Sequence, residues 1–325
     1  MPDADPGRLK RGWRRAATGL IAGMAALVWS VSPAQALRGD EASSRRVEVP
    51  SLDRADGATE SLLLPGFWFE RRDGAEPAQA SASAQAPALA PALLLLHGCG
   101  GPYDRQGQLS RRMRDYAQRL RQAGFHVLIT DSFTPRGERE LCTQRQGARR
   151  VTQLQRRRDV LGALQWLAAQ PGVDAQRLGL LGWSNGGSSV LAALDARQPE
   201  VQAAALRPAF AVAFYPGCGE DLRRGWTPVA PLLMLLGEAD DWTPAATCHA
   251  LAKSVALPAP RPQVLGFEGA YHGFDGAPPV RLRRDVPNGV HPGQGVHVGG
   301  DEAAGEAARR AMLDFLRRES GLDRP

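Results

Sequence analysis

The chain has 325 residues, of which 43% are hydrophobic, 23% charged and 6% aromatic. That apolar content excludes whole-chain disorder, and 36 Gly and 25 Pro without a triplet period or visible repeat exclude collagen and solenoids. The formal charge of +6 is almost all arginine, with Lys only at Lys10 and Lys253, and it is interspersed with Asp and Glu rather than gathered into a polyanion-binding stripe.

The first unit is residues 1–36. Arg8, Lys10, Arg11, Arg14 and Arg15, set against Asp3 and Asp5, supply half of the positive excess. An uncharged apolar run from Ala16 to Val31 follows, then Pro33 and the small-residue site Ala34-Gln35-Ala36, so this segment reads as a secretory signal peptide with mature protein beginning near Leu37. The run is shorter than the roughly 20 residues that span a bilayer, which favours cleavage over a retained anchor. An exported chain, periplasmic or secreted, gives the four cysteines a meaning. Cys99, Cys142, Cys218 and Cys248 are an even set with no zinc or CxxC spacing, which predicts two disulfides with three pairings open.

Residues 37–325 read as one domain. Val47 and Val49, a turn at Asp56-Gly57, and the runs Leu62 to Leu64 and Phe67 to Phe69 predict an N-terminal antiparallel hairpin. Residues 74–91 form an Ala/Ser/Pro-rich stretch without charge after Glu76, which cannot build a core and is expected as a long surface loop. From there short apolar runs alternate with longer periodic segments. Strands are expected at Ala92 to Leu96, Phe125 to Thr130, Arg177 to Trp183, Phe210 to Tyr215, Leu232 to Leu236 and Gln263 to Phe267. Helices are expected near Leu109 to Ala123, Thr152 to Gln170, from Gly186, Pro244 to Val255 and Glu302 to Arg318. Apolar strands between helices predict an α/β fold, a mainly parallel sheet covered on both faces. Such sheets place their sites at the carboxyl ends of the strands.

After the Arg177 to Trp183 strand comes Gly182-Trp183-Ser184-Asn185-Gly186-Gly187, a G-x-S-x-G turn that would present Ser184 at a helix N-terminus. A serine hydroxyl needs a base to take its proton and an acid to hold that base. Asp240 and Asp241 lie just past the Leu232 to Leu236 strand, and His272 lies past the next one. The order Ser, Asp, His is that of α/β-hydrolases. An oxyanion needs two N–H donors. Asn185 and, in the glycine-rich loop His97-Gly98-Cys99-Gly100-Gly101, Cys99 are the candidates, with His97 given a structural role. His291 and His297 lie in a Gly/Pro-rich run without an evident third ligand, so no metal is assigned.

Together, His97-Gly98-Cys99-Gly100-Gly101, the Ser184 elbow, Gly237-x-x-Asp240-x-x-x-Pro244 and Gly269-Ala270-Tyr271-His272 resemble the dienelactone hydrolase family of α/β-hydrolases over about Pro91 to Leu316. The resemblance implies a catalytic Ser184, Asp240 and His272, with Asp241 in reserve, acting on a small-molecule ester or lactone without metal or organic cofactor. Two departures set dienelactone itself aside as substrate. The family's typical members carry cysteine in the elbow, and an arginine four residues past the catalytic histidine where this chain has Gly276. Arg136 is a candidate for meeting a substrate anion, with a surface ion pair as its alternative; Trp183 and Trp242 are candidates for walling the pocket, or for core packing. With strands ordered as expected, the cysteines would pair Cys99–Cys142 and Cys218–Cys248, bracing the mouth of the site. A serine peptidase or acyltransferase of the same fold, and a catalytically silent exported binding module, are the alternatives. The sequence does not specify an oligomeric state.

Overall fold

The computed structural model describes residues 44–54, 59–72 and 89–323. The signal segment over 1–36, the Asp56-Gly57 turn and residues 74–88 of the Ala/Ser/Pro-rich stretch lie outside the described residues.

Eight strands form one sheet: β1 (Ser44–Arg54), β2 (Ser61–Phe69), β3 (Ala90–Leu96), β4 (His126–Thr130), β5 (Val173–Trp183), β6 (Phe210–Phe214), β7 (Leu232–Gly237) and β8 (Gln263–Phe267). Their order is β1-β2-β4-β3-β5-β6-β7-β8. The hairpin β1–β2 is antiparallel, β2 joins β4 antiparallel, and the remaining neighbours are parallel. The helices are α1 (Arg111–Gln122), α2 (Gln153–Ala168), α3 (Asn185–Leu194), the short α4 (Pro199–Ala203) and α5 (Gly219–Arg224), α6 (Ala245–Ser254) and α7 (Glu302–Ser320).

Strand β3 shows why the central strands lack polar alternation: all seven of its residues are buried. Leu94 and Leu96 pack on one face beneath α2, α3 and α6 through Leu164, Val190 and Leu251. Leu93 and Leu95 pack on the other beneath α1 and α7 through Leu120, Met312 and Phe315. Truncating any one of these leucines to Ala should cost about 2–5 kcal/mol. The two edge strands, β1 and β8, are the largely exposed ones.

Element ends differ from the sequence pattern where tertiary contacts intervene. β5 starts at Val173 instead of Arg177, because Val173 pairs with Ala90 ahead of the main register. α2 carries a capping box of Thr152 and Gln155. Its first turns bury Arg156, Arg157 and Asp159 as well as the expected apolar face. The run after Gly276 forms a small antiparallel ribbon, β9 (Arg281–Arg283) with β10 (Val296–Val298), where no strand was expected.

Candidate active site

The turn between β5 and α3 places Ser184. Its φ of 53° and ψ of −117° are a strained conformation for a residue with a side chain, costing on the order of 1–3 kcal/mol. The Ser184 N–H donates to the Phe214 carbonyl at 2.9 Å, holding the turn against β6. Glycine is required on either side. A Cβ on Gly182 would stand 2.3 Å from the Gly186 carbonyl oxygen, and one on Gly186 would stand 2.0 Å from that of Leu96. The start of α3 therefore packs backbone to backbone on the end of β3.

The ends of β7 and β8 bring Asp240 and His272 to this turn. His272 Nε2 is 2.9 Å from Ser184 Oγ, and His272 Nδ1 is 2.8 Å from Asp240 Oδ2. All three residues are buried. Asp240 Oδ1 accepts the N–H groups of Trp242 and Thr243 at 2.8 and 2.9 Å, which turns Oδ2 toward the imidazole. Thr243 Oγ1 lies 3.0 Å from the same Oδ2 and 3.1 Å from the Tyr215 carbonyl. With Nδ1–H donating to the carboxylate, Nε2 presents its lone pair to the serine hydroxyl.

Asp241 points elsewhere. Its Oδ2 is 2.7 Å from His297 Nδ1, its Oδ1 accepts the His297 N–H at 2.8 Å, and its carbonyl accepts the Val290 N–H at 2.9 Å. Asp241 thus anchors the β9–β10 excursion, and His297 is its partner, while His291 is exposed.

Among the described residues, neither the Asn185 nor the Cys99 N–H has an acceptor. Gly98 abuts the elbow, since a Cβ there would come 3.6 Å from Ser184 Cβ, so the loop holding Cys99 lies against the serine. Cys99 is fixed by a disulfide to Cys142 and by its carbonyl accepting the Leu141 N–H at 2.7 Å. The second disulfide, Cys218–Cys248, lies in the core layer with Trp226 and Leu251 instead of at the mouth. His97 is wholly buried, with Nδ1 donating to the Gly98 carbonyl at 2.9 Å and Nε2 accepting the Ser132 N–H at 3.3 Å. Burial, and then the nearby Arg156 charge, push its pKa well below the ordinary histidine value, so it is a neutral brace for the loop.

Two expectations from sequence are corrected. Arg136 does not face the site. Its guanidinium makes a fork to Asp159 at 2.8 and 2.9 Å, contacts Asp53 at 2.9 Å and donates to the Ser132 carbonyl at 2.7 Å, which leaves no direction free for a substrate. Trp183 is 1% exposed, and its indole Nε1 donates to Asp275 at 3.1 Å, so it packs below the serine and walls no pocket. Trp242, by contrast, lies with its ring 4.6 Å from that of His272 and packs near the Cys99–Cys142 disulfide.

Residues the sequence did not single out complete the surroundings. Asp275 is a buried carboxylate that accepts from Tyr116 and Tyr215 hydroxyls at 2.8 and 2.6 Å. Burial pushes both phenols well above the usual tyrosine value, which keeps them as donors. Arg156 donates from Nη1 to the His97 carbonyl at 2.9 Å and to Asn185 Oδ1 at 2.6 Å. Its place inside the charged run Arg156-Arg157-Arg158 hid it, because such a run usually reads as a solvated face.

Comparison with known proteins bears on the family and the fold. The family model described as "Dienelactone hydrolase family" matches residues 80–320. A curated Bradyrhizobium relative, named "Probable 2-oxo-3-(5-oxofuran-2-ylidene)propanoate lactonase", is 28% identical over 175 residues, 50% of this chain and 67% of its own. Among solved structures, Thermogutta terrifontis esterase 2 phosphoramylated by tabun superposes with a TM-score of 0.55 at 16% identity, covering 87% of this chain and 97% of that one. A dienelactone hydrolase-like promiscuous phosphotriesterase from metagenomic libraries gives 0.55 at 20% identity, covering 85% and 98%. The chain belongs to the dienelactone hydrolase family of α/β-hydrolases and is a carboxylic ester hydrolase.

Proposed function

We propose that this protein is a serine hydrolase that cleaves a small-molecule ester or lactone through Ser184, His272 and Asp240 by way of an acyl-enzyme. The observation that carries the reading is the continuous chain from Ser184 Oγ to His272 at 2.9 Å and from His272 to Asp240 at 2.8 Å. His272 Nε2 takes the Ser184 proton as Oγ attacks the carbonyl carbon, and the N–H groups of Asn185 and Cys99 receive the oxyanion. Collapse of the tetrahedral intermediate expels the alcohol, or opens the lactone, with a proton returned by His272. Water, deprotonated by the same imidazole, then releases the acid from Ser184. Asp240 keeps Nδ1 as the protonated nitrogen throughout and stabilises the imidazolium.

Trp242 covers one side of His272 and walls the substrate pocket. The names of the relatives, a lactonase and an esterase, favour an ester or lactone over a peptide. The basic and then apolar N-terminus, with two disulfides, favours export of a mature domain comprising residues 37–325. Among the described residues no helix is long and apolar enough to cross a membrane.

Fluorophosphonate labelling of the mature protein with peptide mapping, beside p-nitrophenyl acetate hydrolysis, tests the reading. Label on Ser184, with labelling and turnover both lost in Ser184→Ala, is the expected result. No label on folded, disulfide-intact protein would leave a silent binding module instead.

A further inference from the structure

Arg156, near the start of α2, is fully buried. Burial lowers its pKa to about 10, so it remains a cation at neutral pH. Asp159 and Asp131 attract it without a direct ion pair among the described residues, and its Nε and Nη2 have no hydrogen-bond partner there. Its guanidinium instead lies 5.3 Å from the centroid of the Phe133 ring and donates through one nitrogen, Nη1, to two acceptors. A buried charge without an ion pair is costly, so what it does hold is informative. One acceptor is the carbonyl of His97, two residues before Cys99; the other is the side chain of Asn185. These are the two segments whose N–H groups, without acceptors among the described residues, the serine-hydrolase reading assigns to the oxyanion.

Resting on the serine-hydrolase reading above, we infer that Arg156 is a positioning residue for the oxyanion pocket. Its Nη1 fixes the spacing between the Cys99 loop and the start of α3, so that both amides are preset for one oxygen. Its charge lies one hydrogen bond behind each segment and favours negative charge appearing between them. Preset donors act on the transition state and not on the ground state, so their disturbance lowers kcat more than it raises KM.

The test compares Arg156→Met, Arg156→Lys, Asn185→Ala and the Arg156→Met/Asn185→Ala pair, each checked for folding by near-ultraviolet circular dichroism. Readouts are kcat and KM on p-nitrophenyl acetate and the affinity of a trifluoromethyl ketone, whose serine adduct carries an oxyanion. Arg156→Met should lower kcat and ketone affinity by roughly 10- to 100-fold with KM within about twofold, and Arg156→Lys should recover part of both. Asn185→Ala, which keeps its N–H and loses only the acceptor, should show the same split. The double variant should be little worse than the poorer single one. A folded Arg156→Met with unchanged kcat and ketone affinity overturns the inference. If Arg156→Met does not fold, an Asn185→Ala variant with unchanged kcat overturns it equally. Turnover persisting in Ser184→Ala would instead sink the serine-hydrolase reading, a result distinct from either Arg156 outcome.

Discussion

The Asp275 carboxylate accepts a hydrogen bond from the Trp183 indole at 3.1 Å, tying the loop three residues past His272 to the residue just before Ser184. The same carboxylate receives the Tyr215 hydroxyl from the end of β6 and the Tyr116 hydroxyl from α1, and pairs with Arg112 at 3.3 Å. One buried group therefore sets the histidine loop against the serine strand. Tyr215 extends the link to the acid, because its carbonyl lies 3.1 Å from Thr243 Oγ1, which in turn lies against Asp240.

Asp275→Asn keeps the shape and removes the charge, leaving Arg112 without its carboxylate and one phenol facing an amide N–H. The expected outcome is a loss of about 2–4 kcal/mol in urea unfolding and a slower fluorophosphonate reaction at Ser184, since His272 is held less firmly. A folded variant that labels at the wild-type rate would show that the carboxylate serves stability alone.

The adjacent acids separate cleanly by their partners. Asp240→Asn should lower kcat by roughly 10⁴-fold by favouring the wrong imidazole tautomer. Asp241→Asn should leave most of kcat and instead loosen the β9–β10 excursion, because Asp241 holds His297 and the Val290 N–H. Steady-state kinetics with hydrogen exchange over residues 281–298 distinguishes the two, and a dead Asp241→Asn beside an active Asp240→Asn would reverse the assignment.

How far the sequence reached depends on the kind of signal. The sheet was legible because its central strands, such as Leu93 to Leu96, are continuous apolar runs between periodic helices. The candidate triad was legible because each member follows its own strand, and a strand end is a place that sequence order can identify. Choosing between Asp240 and Asp241 took the family spacing, since two neighbouring acids before a proline carry equal local signals. Arg136 misled because it also follows a strand, yet its partners Asp53 and Asp159 come from β1 and α2, far away in the chain. Arg156 and Asp275 were missed for the same reason: nothing near them in sequence reveals which backbone carbonyl or phenol they will meet.

For Arg136, the burial of its fork with Asp159 and Asp53 predicts a structural effect. Both carboxylates are nearly enclosed, and Asp159 also accepts the Ser51 hydroxyl at 2.6 Å. Arg136→Met leaves Asp159 buried with only the Ser51 hydroxyl, while Asp53 keeps Arg158 at 3.0 Å, and should cost about 3–5 kcal/mol in urea unfolding. KM of the folded fraction should stay within about twofold. A large rise in KM with unchanged stability would restore the role in substrate binding.

Asp221, in the first turn of α5, supplies a test of pH dependence. Burial, then the neighbouring charges of Asp195 and Glu220, raise its pKa from 3.8 to about 7. Between those values the folded chain keeps a proton that the unfolded chain has lost, so this group lowers stability as pH rises from about 4 to about 7. His97 acts in the opposite sense. Held neutral in the fold, it makes stability fall as pH drops below about 6.5. The two slopes oppose each other in the wild type, and the variant Asp221→Asn isolates one of them. Thermal unfolding of both proteins should show equal stability near pH 4 and an advantage for Asp221→Asn of roughly 1–3 kcal/mol at pH 8, with solvent contact keeping it below the full linkage value. A difference that does not change with pH would mean that Asp221 ionises normally in the fold and that the substitution acts only through packing.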